Sequence, residues 1–252
     1  MHHAPRGPFG YGARVADQRD ASELDRLTLA DWRRRVSDLY VDVRRMAAED
    51  PAIALGHWRA VRETLFREHP DSPVPADRRG AFRALHFEHD PSLRFEVVVQ
   101  PAPPPDPERG TGLTGPGLAD AGADLAGAGL GGLSLPNSGA DTLAFARIGM
   151  VEIPFPAGTR RLSLFWMQGY TGGLFLPFRD ATNGSRTYGA GRYLLDGAKS
   201  ADLGAGAAPG SLVLDFNFAY QPSCAFDPKW ACPLAPPENR LDIPVEAGER
   251  IA

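Results

Sequence analysis

Apolar residues recur at helical spacing early in the chain and at strand spacing later. After Thr28, the residues Trp32, Val36, Leu39, Tyr40, Val43 and Met46 form the stripe of an amphipathic helix. Thr28, with Asp31 following it in a capping-box-like arrangement, predicts that helix's cap. A weaker helical lead-in is predicted over 21–27. A second helix is predicted to open at Asp50, with Pro51 at its first position, where the missing N–H has no helical partner to lose. Ile53, Trp58, Val61, Leu65 and Phe66 make its apolar face, and Pro70 ends it at His69. Both helices keep a polar opposite face, so the pair is expected to pack on a sheet.

Beyond Arg79 the period shortens. Residues 81–87 alternate in part, and 93–99 are rich in β-branched side chains. Asp90-Pro91-Ser92 is a turn by composition, so the two are expected to form a hairpin. Short strand patterns then follow at 142–147, 149–154, 161–168, 174–178, 192–195, 212–216 and 241–245. Pro156-Ala157-Gly158 predicts a hairpin connection between two of them. The expected fold is mainly β, of the α+β class. It is an antiparallel β-barrel or sandwich with the N-terminal helical pair packed against it. No strand–helix alternation is present, which argues against a Rossmann-like fold.

Composition refines this picture. The chain has 252 residues, enough for one domain with an appendage. The expected division is a disordered tail over 1–20, the helical pair over 21–70 and the β domain over 71–252. Within the β domain, 101–140 is rich in Gly, Pro and Ala and reads as a flexible insertion. Its glycines lack the Gly-Lys-Ser/Thr ending of a phosphate loop. A hydrophobic fraction of 43% supplies a core, and a net charge of -4 removes the electrostatic case for nucleic acid. Lysines occur only at 199 and 229, so the many arginines reflect overall composition. No apolar run reaches the roughly 20 residues of a membrane span. No signal-peptide pattern opens the chain, so the expected compartment is the cytoplasm.

Several phrases in the second half go together. Phe175-Leu176-Pro177-Phe178-Arg179-Asp180-Ala181-Thr182-Asn183-Gly184 leads to Thr187-Tyr188-Gly189-Ala190-Gly191-Arg192. Leu214-Asp215-Phe216-Asn217-Phe218-Ala219-Tyr220-Gln221-Pro222 leads to Cys232-Pro233 and Pro236-Pro237-Glu238-Asn239-Arg240. His69-Pro70-Asp71-Ser72-Pro73 and Phe87-Glu88-His89-Asp90-Pro91 fit the same pattern upstream. Together they resemble the domain-of-unknown-function family 1684 of bacteria and archaea, over positions 32–249 with the insertion as an addition. Two mild departures are Gln221 within Tyr-Gln-Pro and Ala190 within Tyr-Gly-Ala-Gly-Arg. The resemblance implies organisation and candidate positions; it implies no activity.

Those phrases carry the candidate chemistry. A strand ending at Leu214 sets Asp215 and Asn217 on one face. Arg192 opens another apolar strand, and an Arg–Asp pair across neighbouring strands would hold a carboxylate or phosphate, or simply fix the sheet. Asp215 and Glu238 are the candidate catalytic carboxylates, one as general base or as an acid of raised pKa. Glu238 has a second reading, as a cap on the backbone of its Pro-rich loop. Asn183-Gly184 predicts a tight turn, with Asp180 and Thr182 satisfying it.

No metal site is expected. Cys224 and Cys232 are too far apart in sequence for a Cys-x-x-Cys pair, and no histidine follows them. Their spacing permits a disulfide; a reducing compartment favours thiols. His86 and His89 point to opposite faces of a strand. No cofactor is expected. The leading reading is a domain that binds a small molecule, anionic if Arg192 anchors it, in a barrel mouth or cleft. Arg192, Asp215, Asn217, Tyr220 and Glu238 would line the site, with Tyr188 and Trp166 as apolar walls. The alternatives are a metal-independent hydrolase or lyase using Asp215 or Glu238, and a structural or oligomer-forming domain. Neither nucleic acid nor membrane is an expected partner, and the oligomeric state stays open.

Overall fold

The structure, a computed structural model, describes residues 12–101, 132–135, 143–168 and 172–251. Helix α1 (Gly12–Ala47) is one continuous helix, and the expected lead-in merges with the main stripe. No Gly or Pro interrupts the chain after Gly12, so Thr28 lies inside the helix instead of capping it. Helix α2 (Pro51–Glu68) starts as its sequence predicts: the Asp50 carboxylate accepts from the Ala52 N–H at 2.8 Å and the Ile53 N–H at 3.2 Å. The short connection makes α1 and α2 neighbours. A single turn, α3 (Ala76–Arg79), follows.

Nine strands build three antiparallel sheets among the described residues. Strands β1 (Leu85–His86) and β2 (Arg94–Val98) do not form the expected hairpin. Asp90 instead caps a 3-10 turn over Pro91–Leu93, its carboxylate accepting from the Ser92 N–H at 2.9 Å. The strands then pair with distant partners. Strands β3 (Gly132–Leu135), β4 (Leu143–Phe155), β5 (Gly158–Met167), β6 (Gly173–Phe178) and β7 (Arg192–Asp196) make one sheet in that order. Strand β8 (Ser211–Asp215) pairs with β2, and β9 (Glu249–Arg250) pairs with β1.

The two strands expected at 142–147 and 149–154 are a single one, β4, bulged between Arg147 and Gly149. Gly149 is required there: a Cβ would lie 2.5 Å from Val99 Cγ1 and 2.8 Å from the Gln100 carbonyl. The expected strand at 241–245 is irregular backbone, although Leu241 and Val245 are buried. No closed barrel forms among the described residues. Of the tail expected over 1–20, residues 12–20 belong to α1, because no Gly or Pro breaks the helix after Gly12; residues 1–11 and most of the expected insertion lie outside the described residues, and β3 falls within the insertion's bounds.

The sheets separate two cores. Leu39, Tyr40, Val43, Leu55 and Trp58 of the helical pair pack with Phe145, Phe165, Phe175, Tyr193 and Phe218. Leu162, Leu164, Leu176 and Phe178 point the other way, into a core with Val97, Leu214 and Phe216. Strand alternation explains the division: Leu164 and Phe165 are consecutive and face opposite sides. No helix among the described residues is long and apolar enough to cross a membrane.

Candidate functional site

Arg192 starts β7 immediately after Gly191, whose φ of +105° belongs to glycine. A Cβ at Gly191 would also sit 2.5 Å from the Phe178 carbonyl oxygen. This tight entry delivers a fully buried guanidinium to the C-terminal segment. Arg192 Nη2 donates to Asp180 Oδ2 at 2.5 Å and to the Val245 carbonyl at 2.8 Å. Nη1 donates to the carbonyls of Ala247 and Glu249. The other Asp180 oxygen accepts from the Thr182 N–H at 2.7 Å and from the Thr182 hydroxyl. Burial lowers the Arg192 pKa, and the Asp180 charge opposes that shift.

Asp215 and Asn217 are also fully buried. Asp215 caps the 3-10 turn Phe216–Phe218, accepting from the Asn217 N–H at 3.0 Å and the Asn217 side-chain amide at 2.8 Å. Its second oxygen lies 3.3 Å from Arg94 Nη1. Asn217 in turn accepts from the Asp90 N–H at 2.9 Å and donates to the Asp90 carbonyl at 2.8 Å. No Arg192–Asp215 pair forms. β7 lies in the five-stranded sheet and β8 pairs with β2, so each residue finds a different partner.

The remaining expected residues are dispersed. Glu238 is exposed. The capping work falls to its neighbour Asn239, whose side chain joins β5 to β6: it accepts from the Ser163 N–H at 2.7 Å and donates to the carbonyls of Ser163 and Pro177 at 2.9 and 2.7 Å. Trp166 is 43% exposed on β5. Tyr188 packs on the helix-side core, and burial together with a hydrogen bond involving Cys224 pushes its hydroxyl pKa up to about 12. Asn183-Gly184 turns without joining two strands, and Asn183 donates instead to Thr187 and the Tyr188 carbonyl. The Cys224 N–H donates to Cys232 Sγ at 3.3 Å, and both residues carry buried thiols. The Cys232 thiol pKa is raised by its hydrogen bond with Cys224 and by burial. No group of three His, Cys, Asp or Glu side chains among the described residues is placed to hold a metal ion.

Tyr220, alone of the expected set, lines a cavity of about 280 Å³ where the helical pair meets loops of the β domain. Trp32 and Val36 of α1 and Phe66 of α2 form one wall. Tyr220, Trp230 and Cys232 form the other, and Lys199 stands at its edge. Arg62 of α2 lies in this lining. Its Nε donates to Glu249 Oε1 at 2.5 Å and its Nη2 to Oε2 at 3.2 Å. The guanidinium stands over the rings of Phe66 and Tyr220, 4.3 and 4.7 Å from their centres. Burial works against the Arg62 charge, but Glu249 outweighs it and the net pKa shift is upward. Glu249 Oε2 also accepts from the Gln221 N–H at 2.8 Å. The Tyr220 hydroxyl donates to Asp196 Oδ2 at 3.0 Å, and Lys199 Nζ lies 3.3 Å from the same oxygen. Burial, then Asp196, raises the Tyr220 pKa well above its ordinary value.

The sequence carried a signal for Arg62. It falls four residues after Trp58 and four before Phe66, on the buried stripe of α2. A charged residue on such a stripe requires a buried partner. The identity of that partner, Glu249, had no local signal, because it lies 187 residues away.

The family model for proteins of unknown function called DUF1684 matches residues 132–250, in agreement with the resemblance read from the sequence. The chain is also similar to an uncharacterized protein of Haloarcula marismortui, known from a solution NMR structure. The two are 29% identical; the match covers 82% of this chain and 97% of the other, with a TM-score of 0.53. No curated protein matches.

Proposed function

We propose that this protein binds a small organic molecule in the cleft between the helical pair and the β domain. The observation that carries this reading is the cavity of about 280 Å³ lined by Trp32, Phe66, Tyr220 and Trp230. Concave, mostly apolar sites with a few fixed polar groups are the usual form of small-molecule sites. Arg62, held in place by Glu249, supplies a fixed polar element of the lining. Both partners are held before any ligand arrives, so little ordering cost accompanies binding.

The geometry favours binding over the hydrolytic reading. Asp215 is fully buried and occupied by Arg94 and Asn217, so it has no open path to a substrate. Glu238 is exposed and outside the cavity lining. We assign the Arg192, Asp215 and Asn217 clusters to holding loops on the sheets. In this reading the site is the cleft and not a barrel mouth.

Two fluorescent apolar probes test the proposal: neutral N-phenyl-1-naphthylamine and anionic 8-anilinonaphthalene-1-sulfonate. At least one is expected to bind the folded protein saturably, raise its Tm and quench tryptophan emission. Val36→Trp, which fills the cavity, is expected to abolish binding while the far-UV spectrum stays unchanged. Failure of both probes to bind folded wild-type protein, or undiminished binding to V36W, overturns the proposal.

A further inference from the structure

We infer that the cleft selects an amphipathic anion: an apolar ring or chain that ends in one oxyanion group. This inference rests on the cleft being the binding site and names the class of molecule it takes.

The cavity divides by chemistry. Its body is aromatic and apolar, from Trp32, Val36, Phe66, Tyr220 and Trp230. Three cations line it, and they are not equivalent. Arg62 has its charge met by Glu249, and its flat faces lie against rings. It therefore serves as part of the wall. Lys199 is 42% exposed and shares the single buried carboxylate of Asp196 with the Tyr220 hydroxyl. Arg33, one residue after Trp32, is exposed and forms no ion pair among the described residues. The lining carboxylate, Asp71, is 27% exposed and is outnumbered by the cations. Its Oδ2 is buried and lies 4.0 Å from His69 Nδ1.

The charge presented by exposed groups is thus positive and comes from two elements. Arg33 is on α1, and Lys199 ends the 3-10 turn Gly197–Lys199. An apolar body between the tryptophans would place its polar end toward these two side chains. A neutral apolar molecule would leave their charge unused. A cation would meet like charges on both elements.

The test compares the two probes on wild type, Arg33→Gln and the double variant Arg33→Gln/Lys199→Gln. Rim charges are solvent-screened, so the expected effect is moderate: the double variant weakens binding of the anionic sulfonate by about tenfold, and Arg33→Gln alone by about threefold. Added salt is expected to weaken sulfonate binding to wild type and to have little effect on the double variant. The neutral naphthylamine is expected to bind all three proteins equally. Equal loss of both probes in the charge variants overturns the inference, as does sulfonate binding indifferent to charge and salt. If neither probe binds folded wild type, the binding proposal itself fails. If the naphthylamine binds and V36W blocks it while the sulfonate ignores the rim charges, the cleft stands and the anion does not.

Discussion

Arg192 and Arg62 each meet a buried carboxylate, in two regions that share one residue. Arg192 donates to Asp180 and to three backbone carbonyls, of which one belongs to Glu249. Arg62 donates to the side chain of that same Glu249. The Arg192 pair has side chains 0% exposed on both partners, whereas Arg62 keeps 14% exposure and borders a cavity. The same ion pair chemistry thus does two jobs. Where the buried guanidinium is spent on one carboxylate and three backbone carbonyls, the arginine clamps the C-terminal segment. Where the guanidinium face is left over, it becomes part of a wall.

The largest expected effect tests the clamp. Arg192→Met removes the charge that faces Asp180 and leaves three carbonyls without their donor. The expected loss is about 3–5 kcal/mol, read by urea unfolding. A loss under about 1 kcal/mol would remove the distinction between the two arginines, because a buried charge left unpaired costs more than that.

A smaller effect belongs to the core beneath Trp58, which lies on the same helix as Arg62. His86 sits against Trp58, and burial, assisted by Arg59 and Arg62 against the opposing pull of Glu249, lowers its pKa to about 4 from 6.5. The folded protein therefore keeps this imidazole neutral where the unfolded chain takes up a proton. The resulting stability is fully present above pH 6.5 and is lost as the pH falls toward 4. The His86 contribution is at most about 3 kcal/mol, and His86→Gln is expected to flatten unfolding curves compared over that range. An unchanged pH dependence in the variant would show that the ring is solvated in the folded protein.

The smallest effect sharpens the contrast within one loop. Glu238→Ala is expected to change stability by no more than about 0.5 kcal/mol, since the side chain is exposed. Its neighbour Asn239 is fully buried and bonds to two strands. A large loss from E238A, seen as a lowered Tm, would place Glu238 in the structural cluster after all.

Much of the helical pair was legible. Asp50-Pro51 and His69-Pro70 set the ends of α2 through contacts a few residues long. The candidate site was less so. Asp215, Asn217 and Arg192 stood out as polar residues on apolar strands, and such residues are equally the mark of an internal clamp. The loop Asp90-Pro91-Ser92 read as a hairpin, yet it closes as a 3-10 turn whose Asp90 backbone is held by Asn217, 127 residues away.

What the sequence by itself determined is local: an amphipathic helical pair, a strand-rich remainder, the caps and turns, and the charged position on the stripe of α2. These depend on neighbours within one or two turns of chain and on the period of apolar residues. Tertiary structure alone decided that β1 pairs with β9 and β2 with β8, that Arg192 meets Asp180, and that Arg62 meets Glu249. Strand partners and buried charges are chosen by which surfaces exclude water together. For the strand pairs and for Arg62–Glu249 that choice compares segments more than a hundred residues apart, and for Arg192–Asp180 it spans 12, so no local period encodes it.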